Sequence, residues 1–332
     1  MNNSTLDNVP TDDLHALQWL TSSIVFVGFF LNFIVIVGIL KSRKLRGIAD
    51  VCLNINLSIS DLFCSLTWIA TQAYIKFTGQ PLENICEIQG FVLYLFLASS
   101  VFTLIAIGIF HYRAIVWEKG LDKGWHVALV ITFIWVISTI GAAFTTGIAL
   151  VDSRYVIQPS HLYCLNDFSN STTPIVKFFN YGISGVLFLT PFFLAFCYFM
   201  IWKKLHKHKL FVPHSYASKR QSSANMSNNS ERQQLDVNVM IIRRACGLSS
   251  CFACVFYFQS IIFTYQILTG TRINWLFDAI GASLVSLNTI VNPGLFLTLD
   301  YRCRRALLDI FSKEEEEFEF QYVTDSNLSN KK

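Results

Sequence analysis

Seven apolar runs divide this 332-residue chain: Trp19–Leu40, Val51–Ile75, Ile88–Phe110, Val127–Leu150, Phe178–Ile201, Ala245–Leu268 and Trp275–Leu299. Each is long enough to cross a bilayer as a helix, which takes ~20 residues. In hydrocarbon a backbone N–H or C=O must bond within its own segment or to a closed barrel neighbour, and runs of this length select helices. Charged residues make up 14% of the chain, little more than half the quarter usual in soluble domains. The expected fold class is an all-α membrane protein, a seven-transmembrane helix bundle. The second and seventh runs carry internal polar residues, as bundle helices do and isolated anchors do not.

The placement of Lys and Arg predicts orientation. The segments after runs one, three, five and seven hold 22 of the 26 basic residues, and the tail before run one holds none. The N-terminus is expected outside and the C-terminus in the cytoplasm of a multi-pass plasma-membrane protein. Trp19, Trp117, Trp125, Trp202 and Trp275 fall at or near run ends, where an interfacial aromatic belt lies. The net charge of +4 therefore reflects topology and gives no reason to expect nucleic acid; anionic lipid is the expected basic-face partner. The expected divisions are a tail 1–18 without a cleavable signal, a seven-transmembrane domain 19–299, a short amphipathic surface helix 300–311 and an acidic tail 312–332. The Ser/Asn/Gln-rich stretch at about 207–236 reads as a disordered loop, and Cys303 as an unmodified thiol or an acylation site. Asn2, Asn3 and Asn170 head sequons on the expected outer side and are candidate glycosylation sites.

Asp61 is the one acidic residue in run two. A carboxylate at bilayer depth costs roughly 2.5–3.5 kcal/mol on insertion scales, so it belongs in a bundle interior or watered cavity. Asn288 and Asn292 lie four apart and share a helical face; Pro293 frees a carbonyl that needs an interior partner. Of nine cysteines, only Cys86 and Cys164 fall on the expected oxidising side, where they pair with each other or remain two thiols.

These residues, taken in order, resemble a rhodopsin-like G-protein-coupled receptor from about Trp19 to Phe311. Asn32, the Asn56-Leu57-Ser58-Ile59-Ser60-Asp61 signature, Trp135, Pro191 and Asn288 with Asn292-Pro293 match its helix landmarks, and Cys86 and Cys164 match its outer disulfide. The resemblance implies a G-protein partner and an extracellular ligand. It also implies a polar cage of Asp61, Ser100, Asn288 and Asn292 that holds an allosteric sodium ion; otherwise the cage is a watered network. No other cofactor is expected.

Other landmarks are replaced. Asp-Arg-Tyr at the end of run three becomes Phe110-His111-Tyr112, and Asn-Pro-x-x-Tyr ends in Phe296. Phe110, His111, Tyr112 and Phe296 are thus the expected G-protein-facing switch region of a divergent receptor. The run-six Cys-Trp-x-Pro pattern survives only as Cys254-Val255-Phe256-Tyr257-Phe258, without its proline, and the run-five tyrosine position falls on Phe199, one place from Tyr198. A non-coupling decoy or scaffold, or a transporter or channel using Asp61, is the competing class.

Amine-binding relatives place an aspartate where this chain has Leu93, and a retinal Schiff base needs a lysine where it has Ser286. Both chemistries are therefore disfavoured. Tyr94, Leu97, Phe256, Tyr257, Gln259, Tyr265 and Asp278 are the candidate ligand-pocket residues. No catalytic pairing, metal-ligand spacing or phosphate loop points to an enzyme.

Overall fold

The computed structural model describes residues 11–42, 45–78, 85–117, 124–149, 155–169, 174–210, 247, 252, 255–300, 303–305 and 308. The apolar runs form helices α1 (Thr11–Lys41), α2 (Ala49–Thr78), α3 (Cys86–Ile115) and α4 (Gly124–Ala149), then α5 (Pro174–Leu210), α6 (Val255–Thr269) and α7 (Trp275–Leu299). Six are long and apolar enough to span a membrane, and α6 adds a shorter apolar helix. Asn274 caps α7, its side chain accepting from the Leu276 N–H at 2.9 Å.

The boundaries differ from the apolar runs because a helix does not stop where hydrophobicity does. α1 starts at Thr11, inside the stretch read as a tail, and α5 continues to Leu210, into the start of the expected loop. The rest of that loop, the tail 312–332, Asn2, Asn3 and Asn170 lie outside the described residues. Within the expected surface helix, 303–305 and 308 are helical. Cys303 there is buried in a cluster with Val35, Ile39 and Phe296, which argues against its being an acylation site, while Arg304 and Arg305 are exposed.

The bundle is apolar outside and polar within. On α4, Leu129, Phe133, Val136 and Ile140 form an exposed stripe at helical spacing, and Leu189, Phe192, Phe196 and Phe199 do so on α5. Such surfaces suit lipid and would be aggregation-prone in water. Helix ties run through buried side chains. Asn32 donates to the Gly28 and Thr289 carbonyls at 2.9 and 2.8 Å, joining α1 to α7. Asn56 donates to Thr103 Oγ1 at 2.7 Å and accepts from Trp135 Nε1 at 2.8 Å, joining α2, α3 and α4. Gly28 lets α1 and α7 approach closely: a Cβ there would lie 3.2 Å from the Thr289 backbone carbon. α3 is central, touching α2, α4 and α5.

Between α4 and α5 the chain forms an antiparallel hairpin, β1 (Tyr155–Ile157) with β2 (Cys164–Asn166), in the register Tyr155↔Asn166 and Ile157↔Cys164. Gln158 holds its turn, its N–H donating to the Tyr163 carbonyl at 3.0 Å and its Nε2 to the Leu165 carbonyl at 3.2 Å. The Cys86–Cys164 disulfide staples β2 to the first residue of α3, and Cys164 N–H donates to Gln89 Oε1 at 3.0 Å. Leu162, Tyr163, Leu165 and Phe168 are buried, so the hairpin is a lid across one end of the bundle.

Candidate functional site: a polar core beneath a lidded cavity

Asp61 lies on the inward face of α2 and is 2% exposed. Ser100 of α3 donates to its Oδ1 at 2.8 Å and Asn292 of α7 donates to its Oδ2 at 2.7 Å. Three helices therefore converge on one carboxylate. No hydrogen bond joins Asn288 to Asp61 among the described residues, but both line the same cavity. Around this centre, Ser60 donates to Ser99 Oγ at 3.0 Å, extending the α2–α3 polar contact.

That cavity, of about 70 Å³, runs from the polar core to the lid. Asp61, Trp68, Ser286 and Asn288 line it along α2 and α7, Phe256 and Gln259 along α6, and Tyr163 closes it from the hairpin. Leu93 and Ser286, the positions at which amine and retinal chemistry would need an aspartate and a lysine, are both on its wall. A larger cavity of about 280 Å³ lies between α3, α4 and α5, with Tyr94, Phe102, Gly141 and Gly182 among its walls. Leu97, Leu165, Leu187 and Phe263 line both spaces and form the partition.

Among the candidate pocket residues, Tyr94, Leu97, Phe256 and Gln259 line these cavities. Tyr257 and Tyr265 do not; both are exposed, and the Tyr257 ring lies tilted against Phe188 of α5 with ring centroids 5.0 Å apart. They lie eight residues apart on one outward stripe of α6. Asp278 is fully buried and anchors the lid, accepting from Tyr163 Oη at 2.8 Å and from the Ser160 N–H at 3.0 Å. Gln259 Nε2 donates to the same Tyr163 hydroxyl at 3.4 Å. Burial above all, then the negative charge of Asp278, pushes the Tyr163 phenol well above its usual pKa.

The switch region is also rearranged. Phe110, His111 and Phe296 are buried, so they pack the bundle and do not face outward; Phe296 sits against α1 and α2. Tyr112 is half-buried, its ring near Trp117 and Phe196. The His111 ring lies 6.3 Å from that of buried Tyr198, while Phe199 faces out. Tyr198 is therefore the inward residue of α5, whereas the run-five tyrosine position of the family pattern falls on Phe199. Sequence reasoning also missed Trp68, Tyr163 and Phe263, and a hydroxyl cluster joining α5 to α6, in which Ser184 lies 2.6 Å from Thr264 Oγ1 and its carbonyl accepts from Ser260 at 2.9 Å. The four-residue spacing of Ser260 and Thr264 was the signal that could have found that cluster.

Residues 31–296 match the family described as 7 transmembrane receptor (rhodopsin family). The chain belongs to that family. Among curated relatives, the receptor is 28% identical over 190 residues to melatonin receptor type 1B of Rattus norvegicus, a match covering 55% of this chain and 48% of that protein. The receptor thus spans about half the length of that relative. It is 23% identical over 297 residues to rhodopsin of Lethenteron camtschaticum, covering 86% and 77%. It is 21% identical over 322 residues to neuropeptide Y receptor type 1 of Xenopus laevis, covering 92% and 82%. Among solved structures, squid rhodopsin superposes with a TM-score of 0.76 at 18% identity, covering 92% of this receptor and 87% of that chain, a likeness of fold. The receptor is accordingly a multi-pass membrane protein of the G-protein-coupled class, and its relatives are receptors.

Proposed function

We propose that the receptor binds a ligand beneath the hairpin lid and relays its presence, through the Asp61 network, to a heterotrimeric G protein at the opposite end. The observation that supports this reading is a shared cavity wall: Tyr163 of the lid and Asp61 with Asn288 of the core line one space. A ligand there touches both the outer closure and the centre on which α2, α3 and α7 converge. The lid end is extracellular in this reading and the basic end is cytoplasmic at the plasma membrane, in accord with the distribution of Lys and Arg. Leu93 on the wall disfavours an amine, and Ser286 disfavours a retinal Schiff base.

A cell-based G-protein recruitment assay tests this, run with the native chain and with His111→Arg under a broad library of ligands. Ligand-dependent recruitment is expected, strengthened by the arginine. If neither form recruits under any ligand, a non-coupling decoy or scaffold becomes the better reading, and the loss of the Asp-Arg-Tyr charges at Phe110-His111-Tyr112 is the observation that would favour it.

The polar core fits a monovalent cation. Asp61 supplies a buried carboxylate, Ser100 a hydroxyl, and Asn288 and Asn292 amide oxygens, the hard ligands that alkali and alkaline-earth cations take. No group of three or more His, Cys, Asp or Glu able to hold a metal occurs among the described residues. When bound, sodium would neutralise Asp61 and hold α2, α3 and α7 in one arrangement. Exchanging choline chloride for sodium chloride is expected to raise the thermal midpoint of the purified receptor, and Asp61→Asn to abolish that response. An equal response in both proteins would leave only a watered network.

A further inference from the structure

The larger cavity has an unusual rim. Phe178, Gly182 and Val186 of α5 line it, yet all three are exposed on the outside of the bundle. They are four residues apart and share one helical face. Gly182 is the notch in that face, since a Cβ there would meet nothing within 4 Å. Across the gap, α4 contributes Ile137 and Gly141, again four apart. Although α3 packs along both helices, α4 and α5 scarcely touch each other among the described residues; Phe144 and Phe179 meet with centroids 4.9 Å apart. The cavity thus opens sideways, at bilayer depth.

The route from water is closed by comparison. Leu162, Tyr163, Cys164, Leu165 and Phe168 are buried in the lid. It is held by the disulfide, by Gln89 and by Asp278, and Phe168 stacks on Phe263 with centroids 4.2 Å apart.

The walls also select charge. Among the described residues no Lys, Arg, Asp or Glu lines the larger cavity, and Asp61 is the one carboxylate on the smaller, where Ser100 and Asn292 donate to its oxygens. An ion of either sign would lose its hydration in the larger cavity without a counter-charge on its walls. Two buried polar atoms on the smaller cavity's residues lack partners: Trp68 Nε1, a donor, and Gln259 Oε1, an acceptor that lies against Gly281. Buried polar groups in native proteins are nearly always satisfied, so an unpaired donor and acceptor around one cavity mark where a ligand's polar end would bond.

We propose that the space between α3, α4 and α5 is a lateral chamber that admits an uncharged, bilayer-dissolved ligand through the Gly182 notch. Its apolar body occupies this chamber, and its polar end passes the Leu97–Leu187 partition to reach Trp68 and Gln259. The inference rests on the receptor reading only in calling the occupant a ligand.

The test is photolabelling of the full receptor in lipid nanodiscs, with labelled peptides mapped by mass spectrometry. The probe is a diazirine-bearing long-chain alcohol; the comparison probes carry the same chain as a phosphatidylcholine ester and as a quaternary ammonium. The alcohol is expected to label chamber-wall peptides around Tyr94 and Phe102, and both comparison probes to leave them unlabelled. Gly182→Trp should abolish that labelling and Gly182→Ala preserve it, with Val186→Trp as a second plug if the first does not fold. Gln259→Leu should remove label from α6 while sparing the α3 peptide. Label confined to lipid-facing Phe192 and Phe196, label that survives both folded plugs, or equal labelling by the phospholipid would overturn the proposal. Labelling needs no G protein, so its failure is separable from failure of coupling, which nucleotide exchange measures.

Discussion

Replacing Cys86 and Cys164 together by serine is expected to destabilise the receptor by about 3–5 kcal/mol, read as a lowered thermal midpoint of the purified protein. The bond joins residues 78 apart in sequence. In the chain-entropy account, opening a loop of that length returns much freedom to the unfolded ensemble. The folded state also suffers, because the staple sets the position from which Cys164 N–H reaches Gln89 and Tyr163 reaches Asp278. Ligand-independent nucleotide exchange and protease sensitivity around Tyr155–Asn166 should change with it. A double serine variant melting with the native protein would show that the lid is held by its hydrogen bonds alone.

The second large effect is expected at Asp278. Asp278→Ala removes the acceptor of two buried donors, Tyr163 Oη and Ser160 N–H, and leaving such groups unpaired costs about 1–3 kcal/mol each. Tyr163→Phe should cost less, since it removes one donor and leaves the carboxylate its bond from Ser160. The double variant should fall short of the sum of the singles, because the two side chains share one bond. Additive losses would mean that the contact contributes little.

The same pair predicts an alkaline limb. The Tyr163 pKa is raised in the folded protein, by burial first and then by Asp278. The unfolded chain therefore begins to release this proton near the ordinary tyrosine pKa of about 10, while the folded chain still holds it. Stability from this group is complete below that pH and declines as pH rises above it towards the folded value. Tyr163→Phe should flatten the decline measured by thermal melts, and an unchanged limb would assign it to other residues.

Parts of the site were legible because chemistry constrains them strongly. A carboxylate at Asp61 cannot face lipid cheaply, so partners had to be sought on neighbouring helices, and Ser100 and Asn292 are there. The pairing of two cysteines on one side of the membrane was legible for a similar reason. Tyr198 and Phe199 were not distinguishable, because adjacent residues on a helix point about 100° apart and both are large aromatics. Tyr257 and Tyr265 failed for the same cause: α6 turns Phe256 and Gln259 inward and puts both tyrosines outside.

What the chain determined alone follows from its solvent. Long apolar runs can satisfy their backbones in lipid only as helices, so the number of spans and the buried carboxylate's need for partners are written in residue type and spacing. The rotation of each helix, the three-residue strands of the lid, the gap between α4 and α5 and the reach of Tyr163 to Asp278 were decided only in the folded molecule. They depend on which side chains interlock across helices far apart in sequence, and hydrophobicity barely distinguishes one aromatic packing from another.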